Sequence, residues 1–351
     1  MKRVVFITQH VDPGHPALAA TVPMIAALAR RVDEVAVLGF GAVPSALPPN
    51  CRFHSFRAPL RVLRGLRFAF ALARELRAPA GTEIAVIAHM CPIYAALAAP
   101  LARPLRVPVL LWYTHWRATL TLRLAEKIAT TVVSVDPRSF PLDTPKLVAT
   151  GHGIDVSEFR CRPPREPDGA LRLLALGRYS DAKGYETVLR AVRIALDRGL
   201  PITLRAFGPT LTSEEKRYRR GLERMLAELS LGDAVELAGP VARASIPDLH
   251  ADVDALVNAT KTGAPDKVVY EACAGCLPAI GANPIFDDLL PDELRFDRDD
   301  AEGLADCFEA FASFDAAARA ALGRSLRRRV LERHSVEPWA DAVLAAAGLA
   351  R

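Results

Sequence analysis

Ten short apolar runs alternate with helical stretches along this chain, and the series starts afresh once, after a proline-rich break. In the first half the runs are Val4–Thr8, Glu34–Gly39, Ile84–Ala88, Val107–Thr114 and Thr130–Val135. Most are nearly continuous in apolar character, as parallel strands are when both faces are covered. Helical patterns fall between them, at about residues 17–31, 63–77, 92–103 and 117–128. Such a βαβ series folds as a doubly wound α/β sheet. The break, Arg160–Asp168, holds three prolines and several charges and is the best linker candidate. A second series follows, with strands near 171–176, 202–207, 234–238, 254–258 and 278–281. A chain of 351 residues is long for a single core. The expected organisation is therefore a Rossmann-like domain over 1–160, a second over 168–333, and a closing amphipathic helix within 336–351 that contains Trp339.

Composition narrows the classes. With 51% apolar and 24% charged residues the chain is globular. Its net charge of +5 favours anionic partners such as nucleotide sugars or phospholipid head groups. No zinc-finger or RNA-recognition pattern supports a nucleic-acid partner. The six cysteines (51, 91, 161, 273, 276, 307) show no disulfide framework, and Cys273-Ala-Gly-Cys276 lacks a second ligand pair, so all six read as reduced thiols of a cytoplasmic protein. Met1-Lys2-Arg3 is too short a lead for a signal peptide, and no apolar run reaches membrane-spanning length. The first strand runs into Gln9-His10-Val11-Asp12-Pro13-Gly14-His15 and not into a glycine fingerprint, which disfavours hydride transfer.

Chemistry concentrates in the second half. Gly177-Arg178-Tyr179-Ser180-Asp181-Ala182-Lys183-Gly184 follows the apolar run Leu171–Leu176 and opens a helical pattern, Tyr185–Leu196. A strand that ends in a glycine turn and then starts a helix suits phosphate binding, because the first helical N–H groups lack partners and the dipole is positive there. Arg178 adds a bidentate fork and Lys183 a point charge. A lone pair of this kind is as often a solvated loop. About eighty residues on comes a second segment, Asp266-Lys267-Val268-Val269-Tyr270-Glu271-Ala272-Cys273-Ala274-Gly275-Cys276-Leu277-Pro278.

Together with Ala206-Phe207-Gly208-Pro209, Leu237-Ala238-Gly239-Pro240 and Ala251-Asp252-Val253-Asp254-Ala255-Leu256-Val257-Asn258, these segments resemble the donor half of retaining glycosyltransferase family 4. The resemblance covers most of residues 170–345 and is looser over 1–165. It implies a GT-B fold: α/β, two Rossmann-like domains whose parallel sheets face across an inter-domain cleft, with the last helix crossing back to the first domain. It implies transfer of a hexose from a nucleoside diphosphate sugar of the UDP or GDP type to a hydroxyl acceptor, with retention and without a metal or other cofactor. Arg178 and Lys183 would stabilise the departing diphosphate, and its leaving oxygen would take the acceptor proton. Glu271 matches the glutamate that accepts the ribose hydroxyls, and Gly177, Gly208 and Gly239 match the family's turns. Domain closure about 160–168 would expel water.

Two features depart from the family or stand apart from it. The second family glutamate, nearer the reacting sugar, is replaced by Gly263, and Asp266-Lys267 resembles a minority version of the motif. Asp266 is expected to cap the helix predicted over 265–274, and Lys267 to meet a phosphate or an acidic sugar. Asp252-Val-Asp254 fits a D-x-D formula but lies at the start of a buried strand. In the first half, Leu111-Trp112-Tyr113-Thr114-His115-Trp116 ends a strand on His115, the residue that in similar enzymes contacts the donor sugar. His89 closes the preceding strand in the same way and is the next candidate for donor contact, as is Gly14 in the first loop; His10 and His15 in that loop are placed to reach acceptor or donor, and His152 belongs to a structural or hinge turn before the linker. Residues 57–77 carry six arginines at helical spacing beside Leu60, Leu63, Leu66 and Phe70, as an ordinary surface helix or a peripheral contact with an anionic membrane's inner face would. The latter would fit a lipid-linked acceptor and glycoconjugate or polysaccharide biosynthesis. The rival readings are a non-catalytic GT-B-like nucleotide- or membrane-binding scaffold, and a sugar-nucleotide epimerase.

Overall fold

The computed structural model describes residues 1–15, 18–261, 263 and 265–350. The chain forms two compact units, the first made of Met1–Asp155 and the segment from Arg333 onward, the second of Val156–Glu332. The proline-rich stretch 160–168 thus belongs to the second unit and does not lie between the two.

In the first unit the strands are β1 (Lys2–Ile7), β2 (His10–Val11), β3 (Glu34–Gly39), β4 (Gly41–Ala42), β5 (Cys51–Ser55), β6 (Glu83–His89), β7 (Val109–Trp112), β8 (Thr131–Ser134) and β9 (Leu147–Ala149). Seven of them form a parallel sheet in the order β5-β3-β1-β6-β7-β8-β9, while β2 and β4 make a separate short pair. Strand order reverses between β1 and β6, where Ile7, the last residue of β1, is in register with Ala88, the last but one of β6. The helices are α1 (Thr21–Ala29), α2 (Arg61–Leu76), α3 (Pro92–Ala102) and α4 (Leu120–Ile128); residue 17, where the first was expected to begin, lies outside the described residues. Right-handed crossovers run one way through α1 and the other way through α2, α3 and α4, which places α1 and the other three on opposite faces. Val5 and Ile7 accordingly meet Phe68 and Leu72 of α2, while Val4 and Phe6, also fully buried, point to the other face.

The sequence reading missed β5 and β9. Both are edge strands. Arg52 and His54 interrupt the apolar pattern of β5, and its residues are only half-buried, so the continuous apolar signature of a central strand is missing.

The chain leaves and rejoins this unit at neighbouring points. Ile154 N–H donates to the His334 carbonyl at 2.7 Å, and Val336 N–H donates to the Ile154 carbonyl at 3.0 Å. Gly151, at φ +75°, passes so close that a Cβ there would stand 1.8 Å from the Arg333 carbonyl oxygen. Gly153, at φ +77°, lies against Trp339. His152, between them, is a buried turn residue. The last helix of the chain, Val336–Ala346, lies on α1, where Arg31 reaches Glu337 at 2.7 Å and Asp341 at 2.6 Å.

The second unit holds β10 (Leu171–Leu176), β11 (Ile202–Phe207), β12 (Val235–Ala238), β13 (Ala255–Asn258) and β14 (Ala279–Gly281), parallel in the order β12-β11-β10-β13-β14. Its helices are α5 (Tyr185–Asp197), α6 (Ser213–Glu228), α7 (Ile246–Ala251), α8 (Lys267–Ala274), α9 (Ala301–Ala312) and α10 (Ala316–Arg333), the last ending at the unit boundary. The core joins Leu171, Leu173, Val188, Leu189, Phe308 and Phe311. Asp254 receives the Arg319 guanidinium at 3.1 Å and the Arg172 N–H at 2.8 Å, all at the amino-terminal side of β13, so the D-x-D segment is a structural brace.

Cys161 and Cys276 form a disulfide, with Cα atoms 4.8 Å apart. This corrects the expectation of six reduced thiols. The pairing joins residues 115 apart in sequence, one in an irregular stretch and one at φ +63° just beyond α8, a relation that cysteine spacing does not encode. Cys51, Cys91, Cys273 and Cys307 are free.

Candidate functional site

At the carboxyl end of β10 the chain turns at Gly177, φ +149°. A Cβ on Gly208, which follows β11, would stand 1.8 Å from the Gly177 carbonyl oxygen, so only glycine permits this approach. Tyr185 holds the turn from below, its hydroxyl donating to the same carbonyl at 2.9 Å. Gly184, at φ +63°, then starts α5 with no side-chain cap, which leaves the first N–H groups of that helix open toward the turn. By contrast Gly239 is exposed, and a Cβ there would meet nothing within 4 Å, so nothing around it requires glycine.

Lys183 is ion-paired to the carboxylate of Asp266, which immediately precedes α8. The same Asp266 oxygen accepts from Asn258 Nδ2 at 2.8 Å and Thr260 Oγ1 at 3.0 Å. Burial pushes this carboxyl up, but the Lys183 charge and the three hydrogen bonds outweigh it and hold the group below the usual carboxylate range. Asp266 was expected to cap the helix; it occupies the N-cap position, yet its side chain makes no capping bond and turns toward Lys183 instead.

Arg178 is half-exposed and donates to Glu215 at 2.8 Å. Glu215 is buried because it closes the capping box of α6, accepting from the N–H groups of Thr212 and Leu211 at 3.2 and 2.6 Å. Glu271, on α8, is 1% exposed and not a surface residue. One of its oxygens lies 2.8 Å from Arg243 and 3.9 Å from Lys267, while the other is buried with no hydrogen-bond partner. Arg243 also reaches Glu158 at 2.7 Å. Sequence reasoning missed Arg243: it stands past β12 in a chain rich in arginine, with no motif to single it out.

The second unit thus gathers Gly177, Gly208, Arg178, Lys183, Asp266, Lys267 and Glu271 around the carboxyl ends of β10, β11 and β13 and the starts of α5 and α8. Each of Lys183, Arg178 and Arg243 already has a carboxylate partner, and the Glu271 oxygen without a donor is buried, so a hydroxyl reaches it only if its cover moves. Such a site can hold an anion on cations and backbone N–H groups, and a polyol on Glu271.

The remaining expected residues belong to the first unit. His115 lies past the end of β7; its Nδ1 accepts from the Arg117 N–H at 3.0 Å and its ring stacks on Trp116 at 5.5 Å. His89 ends β6 but is sandwiched between Phe6 and Trp112, at ring distances of 5.6 and 4.6 Å. It is 5% exposed, and burial, then the charge of His152, pull its pKa down to about 3. The expectation of a ligand-contacting His89 gives way to a neutral core histidine, because the stacked rings cover it. Gly14 donates its N–H to Asp12 Oδ1 at 2.8 Å, and His10 and His15 stack at 5.4 Å.

No protein-family model matches the chain. A curated relative, the Escherichia coli K12 protein WcaL, whose name proposes it as a colanic acid biosynthesis glycosyltransferase, is 22% identical over 200 residues. The match takes in 53% of this chain and 47% of that protein, so it spans about half the relative's length. Among solved structures, sucrose-phosphate synthase from Thermosynechococcus elongatus superposes with a TM-score of 0.71 at 19% identity, covering 97% of this chain and 96% of that one. A glycosyltransferase from Rickettsia africae gives 0.73 at 13%, covering 99% and 97%. S. aureus TarM, solved in a complex that includes UDP, gives 0.72 at 8%, covering 99% and 100%. The chain has the α/β fold with parallel sheets of GT-B glycosyltransferases.

Proposed function

We propose that this protein is a glycosyltransferase of the retaining family 4 type, moving a hexose from a nucleoside diphosphate sugar of the UDP or GDP class to a hydroxyl acceptor without a metal. The observation that carries the reading is the convergence of Lys183, Lys267 and the uncapped start of α5 at the ends of β10 and β13. The name of WcaL and the UDP bound to TarM agree with it.

On this reading the diphosphate lies across the Gly177 turn, its charge met by Lys183, Lys267 and the first N–H groups of α5. Arg178 swings from Glu215 to the outer phosphate, and Glu271 accepts the ribose hydroxyls once its buried, unpartnered oxygen is uncovered. The glycosidic C–O bond breaks toward the β-phosphate, whose oxygen takes the proton of the acceptor hydroxyl as the new C–O bond forms on the same face. His115 orients a sugar hydroxyl. The acceptor is read as lipid-linked, with residues 57–77 at an anionic membrane.

The test is binding of UDP, GDP, ADP, CDP and NAD to the wild type and to Lys183→Ala. One nucleoside diphosphate should bind in the micromolar range and weaken at least about tenfold in the variant. If none binds, or the variant binds equally well, the reading fails.

Gly263 favours a second reading, a scaffold that binds nucleotide without turnover. It stands where the family carries its second glutamate, and it is buried at φ +82°, a conformation in which a glutamate would be strained. Nucleotide binding with no transfer across a broad acceptor panel would select this alternative.

A further inference from the structure

The helical face of the first unit opposite α1 has an unusual outer surface. On α2, Phe68, Leu72 and Leu76 enter the core. A second apolar stripe, Val62, Leu66 and Phe70, one turn apart, points away from it, and Phe70 is 82% exposed. α3 lies between α2 and α4. It exposes Ile93 and Leu97, and α4 exposes Leu120 and Leu124. An ordinary surface helix has one apolar stripe and turns it inward; this three-helix layer has apolar side chains on both sides.

Charge is concentrated on the same stretch. Of the chain's 45 Lys+Arg and 40 Asp+Glu, residues 57–128 hold 11 and three, leaving 34 and 37 for all the rest. The positive charge of the whole protein therefore resides here. Of the three carboxylates, Glu75 is buried against Arg52. Arg61, Arg67 and Arg74 are exposed beside the apolar stripe of α2. A recess of about 740 Å³ next to Phe70 is lined by Arg74 and Arg77, together with Glu75 and with Arg3 and Arg52, which pair with Glu34 and Glu75.

We propose that the outer face of α2, α3 and α4 docks on an anionic phospholipid bilayer. The apolar stripe would enter the boundary of the acyl chains, while the arginine stems lie along it and their guanidinium groups pair with lipid phosphates. A second copy of the chain is a poor occupant, because matching faces would bring like charges together. No helix among the described residues is long and apolar enough to cross a membrane, so the contact is peripheral. The inference extends the membrane element of the proposed function but rests on the first unit alone.

The experiment is flotation of the full chain with vesicles of phosphatidylcholine alone and of phosphatidylcholine mixed with phosphatidylglycerol. Binding should require phosphatidylglycerol and weaken with salt. Leu66→Ser with Phe70→Ser, and separately Arg61→Glu with Arg74→Glu, should each weaken it at least about tenfold while leaving tryptophan fluorescence unchanged, since none of these side chains is in the core. Failure of the wild type to float, or equal flotation of both variants, would overturn the proposal. So would a dimer seen by light scattering that Phe70→Ser dissolves in a protein that never floats, which would assign the face to a second copy. UDP and GDP binding, measured on the same samples, reports the nucleotide site independently: either readout can be lost without the other.

Discussion

The two units use the same sheet architecture and place their charge differently. In the second unit the cations stand at the strand ends, each held by a buried or half-buried carboxylate: Lys183 by Asp266, Arg178 by Glu215, Arg243 by Glu271. In the first unit the strand ends include histidines packed against aromatic rings, as His89 is between Phe6 and Trp112, and an ion pair, Asp136 with Arg138, just past β8. Its excess of arginine lies on the outer side of the helices. A pre-paired cation keeps its geometry while it waits for an anion, whereas an exposed arginine beside an apolar stripe suits a broad surface and not a fixed ligand. The contrast teaches that the chemistry of a doubly wound sheet is chosen locally, by which side of the fold the charges are put on.

All three tryptophans, Trp112, Trp116 and Trp339, belong to the first unit, so tryptophan fluorescence follows that unit and far-UV dichroism follows both. The largest effect is expected from replacing Cys161 and Cys276 by serine. The disulfide closes a span of 115 residues, and its loss should cost the second unit about 4 kcal/mol, seen as an earlier dichroism transition with the tryptophan transition unmoved. Equal shifts in both would show that the units do not unfold separately.

Acid should act next. His89 has its pKa depressed to about 3 in the folded state, so the unfolded chain binds the extra proton first. Stability is then full above the unfolded value near 6.5 and is lost as pH falls from there toward 3, by roughly 3 kcal/mol at pH 4.5. His334, also in the first unit, is lowered to about 3, and His250 in the second to about 4, in both cases mainly by burial. Tryptophan-detected stability should therefore fall faster than that of the second unit; a flat profile between pH 6.5 and 4.5 would remove the buried neutral histidine from the account.

Smaller again is Asp266→Asn. Removing the partner's charge leaves the Lys183 ammonium to the phosphates, and nucleoside diphosphate affinity should rise about fivefold, measured by calorimetry. A loss of affinity would mean that Asp266 positions Lys183 and does not compete for it. The smallest effect is expected at Glu337→Gln, an exposed partner of Arg30 and Arg31, which should cost less than about 1 kcal/mol by chemical denaturation.

Much of the fold was legible because central parallel strands carry a strong signal. Leu171–Leu176, Ile202–Phe207 and Glu34–Gly39 stand where their apolar runs predict. β5 escaped because Arg52 and His54 break its apolar run, and β9 because its three residues, Leu147–Ala149, are too few to stand out as a run. In the site, glycine and lysine spacing located the Gly177 turn and Lys183, because the backbone approach at Gly208 and the start of α5 leave a trace in residue type. Partners leave none: that Asp266 faces Lys183, or that Arg243 meets Glu271, depends on how strands far apart in sequence are ordered in the sheet. The burial of His89 was hidden for the same reason, since Phe6 and Trp112 come from two different strands.

The adjacency of Ile154 with His334 and Ser335 means that the whole of 156–332 is, in topological terms, an insertion between two neighbouring positions of the first unit. A gene that joins codon 155 to codon 333 through a few glycines would preserve the hydrogen bonds on both sides of the junction. The excised portion begins and ends at a single crossing of the chain, so the first unit keeps its own continuous framework on either side of the junction.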